Sequence, residues 1–178
     1  MKPETLMDTE KITQAVFKTE EMLAYAMFSV AVEGVPPLEG FCKISKPKTV
    51  GKLKYFSVFY IIDTPDKKSR DAATLLTSRI DWKRLVTMLP EVEDEMGIPQ
   101  QGSTDYIFIE REIFMNNSEC LTKGYIFSTL YPALVRLTGF SGDDLHFWDT
   151  DTKPHTSSFP EIQGNRSLLD RLKDFFPF

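Results

Sequence analysis

Cysteine and histidine are scarce in this sequence, and their scarcity argues against several classes of protein. The 178 residues include only Cys42 and Cys120, which lie far apart and form no CxxC pair. They therefore supply neither a zinc framework nor a disulfide scaffold, and both are expected to be buried, reduced thiols. Both histidines lie in the C-terminal region, so only the fold could assemble a Cys/His or Ser/His catalytic pair.

Long apolar runs and common catalytic motifs are also missing. The longest uninterrupted apolar run, Met22 to Phe28, is far shorter than the roughly 20 residues of a membrane-spanning helix. The polar N-terminus lacks the apolar core of a signal peptide. No serine stands in a GxSxG setting, and there is no glycine-rich phosphate loop or dinucleotide fingerprint. We therefore expect a cytoplasmic protein in a reducing compartment that is not an enzyme and needs no cofactor.

The sequence does contain enough apolar material for one folded domain. A chain of this length buries roughly 70% of the surface that its unfolded state exposes, and 42% of its residues are apolar. We predict a single α+β domain over residues 1–178, with a tail at 1–7 and a long loop at 149–165. The expected architecture is a small, mostly antiparallel sheet packed against several helices.

Strands are predicted at three places. Lys54–Ile62 has aromatic or β-branched residues at nearly every position, which is typical of a strand buried on both faces. Asp105–Met115 alternates between an apolar and a mixed face, and Gly40–Ile44 is a shorter candidate. Between these strands, the acidic segment Glu91–Met96 is expected to form a turn, followed by a loop at 97–103.

Helices are predicted where apolar residues recur at helical spacing after a capping side chain. The first covers about residues 8–30, although its last turn also fits a strand. The next two begin at Ser69 and at Asp81, and a final one begins at Ser167.

A further helix is predicted at Glu119–Thr138. Pro132 interrupts it and Gly139 closes it. A weaker alternative makes Tyr125–Phe127 a strand, with the helix beginning only at Pro132.

After this helix, acidic side chains and an imidazole are concentrated within nine residues. Such groups are natural ligands of a divalent ion, so a metal-dependent hydrolase or a metal-binding protein is one hypothesis for the function. The spacing matches neither a calcium loop nor a helical zinc site, and a short helix capped by Ser141 followed by a turn explains the same residues. The candidate ligands are Asp143, His146, Asp149 and Asp151.

Basic charge is concentrated in the middle of a chain whose net charge is −5. Residues 43–84 carry 11 basic and 4 acidic side chains, whereas both flanking parts are acidic. Lysines near a hairpin turn could contact the phosphates of a nucleic acid or of anionic lipid, or they could simply solvate a sheet edge and discourage edge pairing. The candidate contacts are Lys43, Lys46, Lys48, Lys52 and Lys54.

These patterns favour a non-enzymatic protein that binds another macromolecule, as an adaptor, chaperone, immunity protein or viral accessory protein does. The grounds are the missing catalytic motifs and the segregated charge, which suits electrostatic docking. The expected partner is another protein or a second copy of this chain, and the alternative is a nucleic acid or an anionic membrane surface reached through the lysines. Trp148 is a further candidate contact, as is Phe178 if the FFPF end does not pack on its own helix.

Overall fold

The computed structural model describes residues 22–102, 106–142 and 144–148, in which one antiparallel sheet carries helical segments on one face. The strands are β1 (Met22–Val30), β2 (Leu38–Ser45), β3 (Lys48–Val50), β4 (Leu53–Asp63), β5 (Val92–Gly102), β6 (Tyr106–Met115), β7 (Ser141–Gly142) and β8 (His146–Phe147). The helical segments are α1 (Lys67–Ser78), α2 (Arg84–Met88), a 3-10 turn (Ser118–Cys120), and a continuous helix made of α3 (Lys123–Tyr125), a π-helical turn (Ile126–Leu130) and α4 (Tyr131–Thr138).

The sheet has β4 near its centre. Its strand order is β5-β6-β4-β2-β1-β7, with β3 paired to the start of β4 and β8 paired to β1. Residues 56–62 of β4 are all buried, because β2 and β6 cover its edges and apolar side chains lie on both faces. The prediction of a doubly buried strand at Lys54–Ile62 is confirmed, as are the strands predicted at Gly40–Ile44 and, from Tyr106 onward, at Asp105–Met115.

The prediction of several helices packed on a small sheet is wrong. In the described residues the sheet is the larger part of the fold, it curls into a half-barrel, and only three helices accompany it. Two segments account for much of the difference. Met22–Val30 forms β1 instead of the end of a helix, and Val92–Gly102 forms β5 instead of a turn and a loop.

β1 is a strand in which apolar side chains pack on both faces of the sheet. Ala24 and Phe28 lie in the core beneath the helices, whereas Tyr25 and Met27 lie on the opposite face. When nearly every residue of a segment is apolar, helical and alternating spacings fit equally well. Long-range pairing with β2 along most of the strand then decides the conformation.

β5 forms because its acidic side chains have basic partners. Glu95 is fully buried and accepts two hydrogen bonds from the Arg111 guanidinium on β6, one of them with an Nη2–Oε2 distance of 2.8 Å. Lys83 forms an ion pair with Asp94 at 2.8 Å and also donates to the Glu95 carbonyl. A Cβ at Gly97 would overlap the Arg111 side chain, so glycine makes this approach feasible. The acidic side chains that predicted a turn thus form charge-assisted hydrogen bonds that stabilise an outer strand.

Two apolar clusters lie on opposite faces of the sheet. The first cluster joins the sheet to the helices and includes Trp82, Leu85 and Ile126. β1, β2, β4 and β6 contribute side chains to both clusters, so the sheet is a layer shared by two cores. The second cluster consists of Met22, Tyr25, Met27, Phe41, Phe59, Ile61, Tyr106, Phe108 and Trp148.

The predicted helices occur with shifted starts. α1 begins at Lys67 because the Asp66 side chain, and not that of Ser69, is the cap, accepting from the Ser69 N–H at 2.8 Å. α2 begins at Arg84, three residues after the predicted Asp81. The predictions at residues 8–21 and from Ser167 onward lie outside the described residues.

The helix predicted at Glu119–Thr138 is present from Lys123 onward, and the alternative strand at its start is wrong. Thr122 caps it by accepting from the Tyr125 N–H at 3.1 Å. The Tyr131 N–H donates to the Ile126 carbonyl five residues back, which makes a π-helical turn just before Pro132. The helix ends as predicted at Gly139, whose φ of 77° favours glycine.

Candidate functional site

The basic segment divides between one buried position and an exposed hairpin. Lys43 is only 2% exposed and lies on β2, with its Nζ atom 4.8 Å from the centre of the Phe59 ring. The structure therefore separates Lys43 from the other four lysines, of which Lys46 and Lys52 are exposed and Lys48 and Lys54 are half-buried. Those four surround the β3–β4 hairpin and are Lys46, Lys48, Lys52 and Lys54.

Two aliphatic side chains are exposed at the tip of this hairpin, residues 50–53. Val50 and Leu53 are paired across the turn and are 59% and 48% exposed. Gly51 has a φ of 63°, which allows the tight turn between them. Only the lysines were predicted as contacts here, yet the order Val-Gly-Lys-Leu places an apolar residue on each side of the turn and could have indicated this apolar pair.

A row of polar and aromatic side chains crosses the second face of the sheet. The strand register aligns His146, Tyr25, Lys43, Phe59 and Glu110 on β8, β1, β2, β4 and β6. The His146 ring stacks on that of Tyr25 with 5.5 Å between centres. No spacing motif indicates this row, because only long-range register brings its members together.

Two titratable groups of this row have shifted pKa values: burial raises the pKa of Tyr25, and the Glu110 carboxyl is affected by several neighbours. Burial raises the pKa of Glu110, and Glu112 acts in the same direction, while Lys48, Lys43 and a hydrogen bond from Ser57 oppose the increase. The row thus carries positive and negative groups on a largely apolar face. Such groups can orient a polar ligand or fix the register of the strands.

The two thiols are not activated. Burial raises the pKa of Cys42 to about 12, despite a hydrogen bond with Tyr60. Burial and the nearby carboxylates of Glu91 and Glu119 raise the pKa of Cys120. Both groups are therefore protonated at neutral pH, whereas a nucleophilic cysteine needs a thiolate.

The predicted metal cluster is only partly described. His146 is half-buried on β8, and no group of three or more His, Cys, Asp or Glu side chains within the described residues could hold a metal ion. The short helix predicted after Ser141 is wrong, because residues 141–142 form β7 on the edge of β1. The open backbone groups of that edge accept a further strand in preference to an isolated helical turn. Outside the described residues lie Asp143, Asp149 and Asp151.

Trp148 lies inside the fold. It is 8% exposed and belongs to the second cluster, with its ring 6.1 Å from that of Tyr25. Its backbone N–H donates to the Leu23 carbonyl at 2.9 Å. Trp148, which was predicted to contact a partner, therefore lies in an apolar core. Phe178, the other predicted contact, lies outside the described residues.

A groove of about 280 Å³ opens between the helix at 127–135 and a wall formed by Ser141, Gly142, Asp144 and Leu145. Phe127 on its rim is 60% exposed although its neighbours in the helix, Ile126 and Leu130, are buried. Asp144 is exposed at the opposite side. The lining residues are Phe127, Tyr131, Val135, Ser141, Gly142, Asp144 and Leu145.

Comparisons with protein-family models, with curated proteins and with solved structures gave no match. Of the described helices, none has the length and apolar character needed to cross a membrane. The function is therefore inferred from the surfaces described above.

Proposed function

We propose that this chain is a non-enzymatic binding protein that docks on an acidic surface of another protein through the β3–β4 hairpin. The observation that carries the proposal is the exposed cross-strand pair Val50 and Leu53 among four lysines. An apolar centre with a polar, solvent-accessible rim is typical of a protein-binding patch.

Charge and shape favour a protein over a polyanion as the partner. A nucleic acid would gain little from Val50 and Leu53, because phosphate contacts depend on basic side chains. The chain has a net charge of −5, so a uniformly anionic surface would repel most of the molecule. A partner that places acidic groups around an apolar depression would use both the aliphatic pair and the lysines.

The test compares three forms of the protein as bait in an extract of the source organism. They are the wild type, Val50→Ser with Leu53→Ser, and a matched control with Leu75→Ser and Met96→Ser. The control removes two apolar residues of similar exposure, both 52%, from other surfaces. We expect the wild type and the control to retain the same partner, and the hairpin variant to lose it.

The dissociation constant for the purified partner measures how much the hairpin contributes to binding. Loss of two interface anchors at roughly 1–2 kcal/mol each should weaken binding about 30-fold or more. Raising NaCl from about 50 to about 300 mM should weaken it further, because salt screens the charges of the exposed Lys46 and Lys52. Equal binding by the hairpin and control variants would refute the hairpin as the docking site. Hairpin-dependent binding to anionic vesicles or to DNA, with no protein partner, would instead support the lipid or nucleic-acid alternative.

A further inference from the structure

The groove beside the π-helical turn offers a second binding site, distinct from the hairpin. Phe127, Tyr131 and Val135 are spaced four residues apart and line its helical side. Leu145 contributes to the opposite wall and is buried. Most of the lining is therefore aromatic or aliphatic, as in sites that bury the apolar body of a small ligand.

The helix departs from α-helical geometry where it borders this groove. The π-helical turn adds one residue to the helical repeat, as the bond from the Tyr131 N–H to the Ile126 carbonyl shows. Within this turn, the Ser128 hydroxyl also donates to the Gly124 carbonyl of α3 at 2.7 Å. Single π-helical turns often occur at functional sites, because they redirect the side chains that follow. Here the turn contains Phe127, whose ring remains 60% exposed at the groove.

One charged group lines the groove. Asp144 is the only charged side chain among the described lining residues, and it is exposed. A volume of about 280 Å³ corresponds to roughly nine water molecules at about 30 Å³ each, which suits one aromatic ring system or one large side chain. We propose that this groove binds an organic cation that has an apolar body and a terminal ammonium or guanidinium group.

Each part of such a ligand would have a partner. The apolar body would cover Phe127 and Val135, while the cationic group would meet the Asp144 carboxylate and the electron-rich faces of the aromatic rings. An anionic ligand of the same shape would face Asp144 as a like charge.

Two probes of matched shape and opposite charge test the proposal. Tryptamine has an indole and an ammonium group, whereas indole-3-propionate has an indole and a carboxylate. In NMR titrations of the full chain, we expect tryptamine to shift the backbone amides of the lining residues and indole-3-propionate to bind at least tenfold more weakly. The reporting amides are those of Phe127, Tyr131, Val135, Ser141, Gly142, Asp144 and Leu145. Equal binding of both probes, or no shift of these amides by tryptamine, would overturn the proposal.

Variants then assign the contacts. Asp144→Asn should weaken tryptamine binding about threefold to tenfold, since it removes a charge-assisted interaction. Phe127→Ala should weaken it similarly, and Asp81→Asn, which neutralises an exposed carboxylate on another surface, should not change it. The hairpin variant with Val50→Ser and Leu53→Ser should also bind tryptamine normally, so the two proposals can fail independently. Unchanged binding in both groove variants would contradict the proposal.

Discussion

At the scale of single residues, the fold contains charged groups in positions that usually exclude them. Glu95 is fully buried, and its carboxylate is paired with the Arg111 guanidinium, which also lies over the Trp82 ring at 5.1 Å. Removing either partner would leave a buried charge without compensation, which is more costly than the net value of the pair. Such pairs are invisible in the sequence, because acidic residues in an isolated segment indicate a solvated turn.

The Glu110 carboxyl allows a prediction about pH. Its pKa in the folded protein is raised above the ordinary value of 4.5, chiefly by burial. A raised pKa means that this group contributes most to stability below 4.5, and that the contribution is lost as pH rises through the folded pKa. Glu110→Gln should therefore be more stable than the wild type at neutral pH by about 0.5 kcal/mol, a small value because the group is only half-buried.

Urea denaturation at neutral pH and at a pH below 4.5 measures this effect. The advantage of Glu110→Gln should shrink at the lower pH, where the wild-type carboxyl is also uncharged. Glu39→Gln is the matched control, because Glu39 is an exposed carboxylate on β2 and does not contribute to the pKa shift of Glu110, whereas Glu112 does. A destabilised Glu110→Gln variant at neutral pH would mean that attraction by Lys43 and Lys48 outweighs the burial of the carboxylate.

At the scale of elements, we expect alanine substitutions at the two ends of the helix at 123–138 to change stability in opposite directions. Gly139 has a φ of 77°, which a side chain disfavours even though space around it is open. Gly124 lies inside α3 without a positive φ, and an added Cβ there would be 3.9 Å from its nearest neighbour, the Thr122 hydroxyl. Gly139→Ala should destabilise the protein by about 1 kcal/mol, whereas Gly124→Ala should stabilise it by about 0.5 kcal/mol.

Thermal or urea unfolding of the two variants checks these signs. Each variant is the control for the other, since both add one methyl group to the same helix. A stabilising Gly139→Ala would contradict the left-handed cap, and a destabilising Gly124→Ala would contradict a helical backbone at the start of the segment.

Helices and strands could be predicted from the sequence where the local residue pattern and the long-range contacts favour the same conformation. β4 is rich in aromatic and β-branched residues, β6 alternates between two faces, and Gly139 is a clear helix stop. β1 and β5 could not be predicted, because the conformation of each depends on partners distant in sequence. In β5 the deciding contact joins Glu95 to Arg111 across the strand pair. The hairpin lysines were predicted from composition. The burial of Lys43 depends on how β2 pairs with β4, which composition cannot reveal.

At the scale of the whole molecule, the sheet is shared by two apolar clusters. The same four strands place alternate side chains in each cluster, so loss of one cluster would expose half of every shared strand. We therefore expect the two faces to unfold together as one cooperative unit. The chain has two tryptophans, and each cluster contains one of them, Trp82 in the first and Trp148 in the second.

This arrangement makes cooperativity measurable by fluorescence. Trp148→Phe leaves Trp82 to report on the first cluster, and Trp82→Phe leaves Trp148 to report on the second. In each variant the fluorescence transition in urea should coincide with that variant's own circular dichroism transition, which controls for destabilisation by the substitution. A Trp148 transition at clearly lower urea than the loss of strand signal would show that the second cluster opens separately. Coincident transitions would establish that the sheet and both of its faces form a single folding unit.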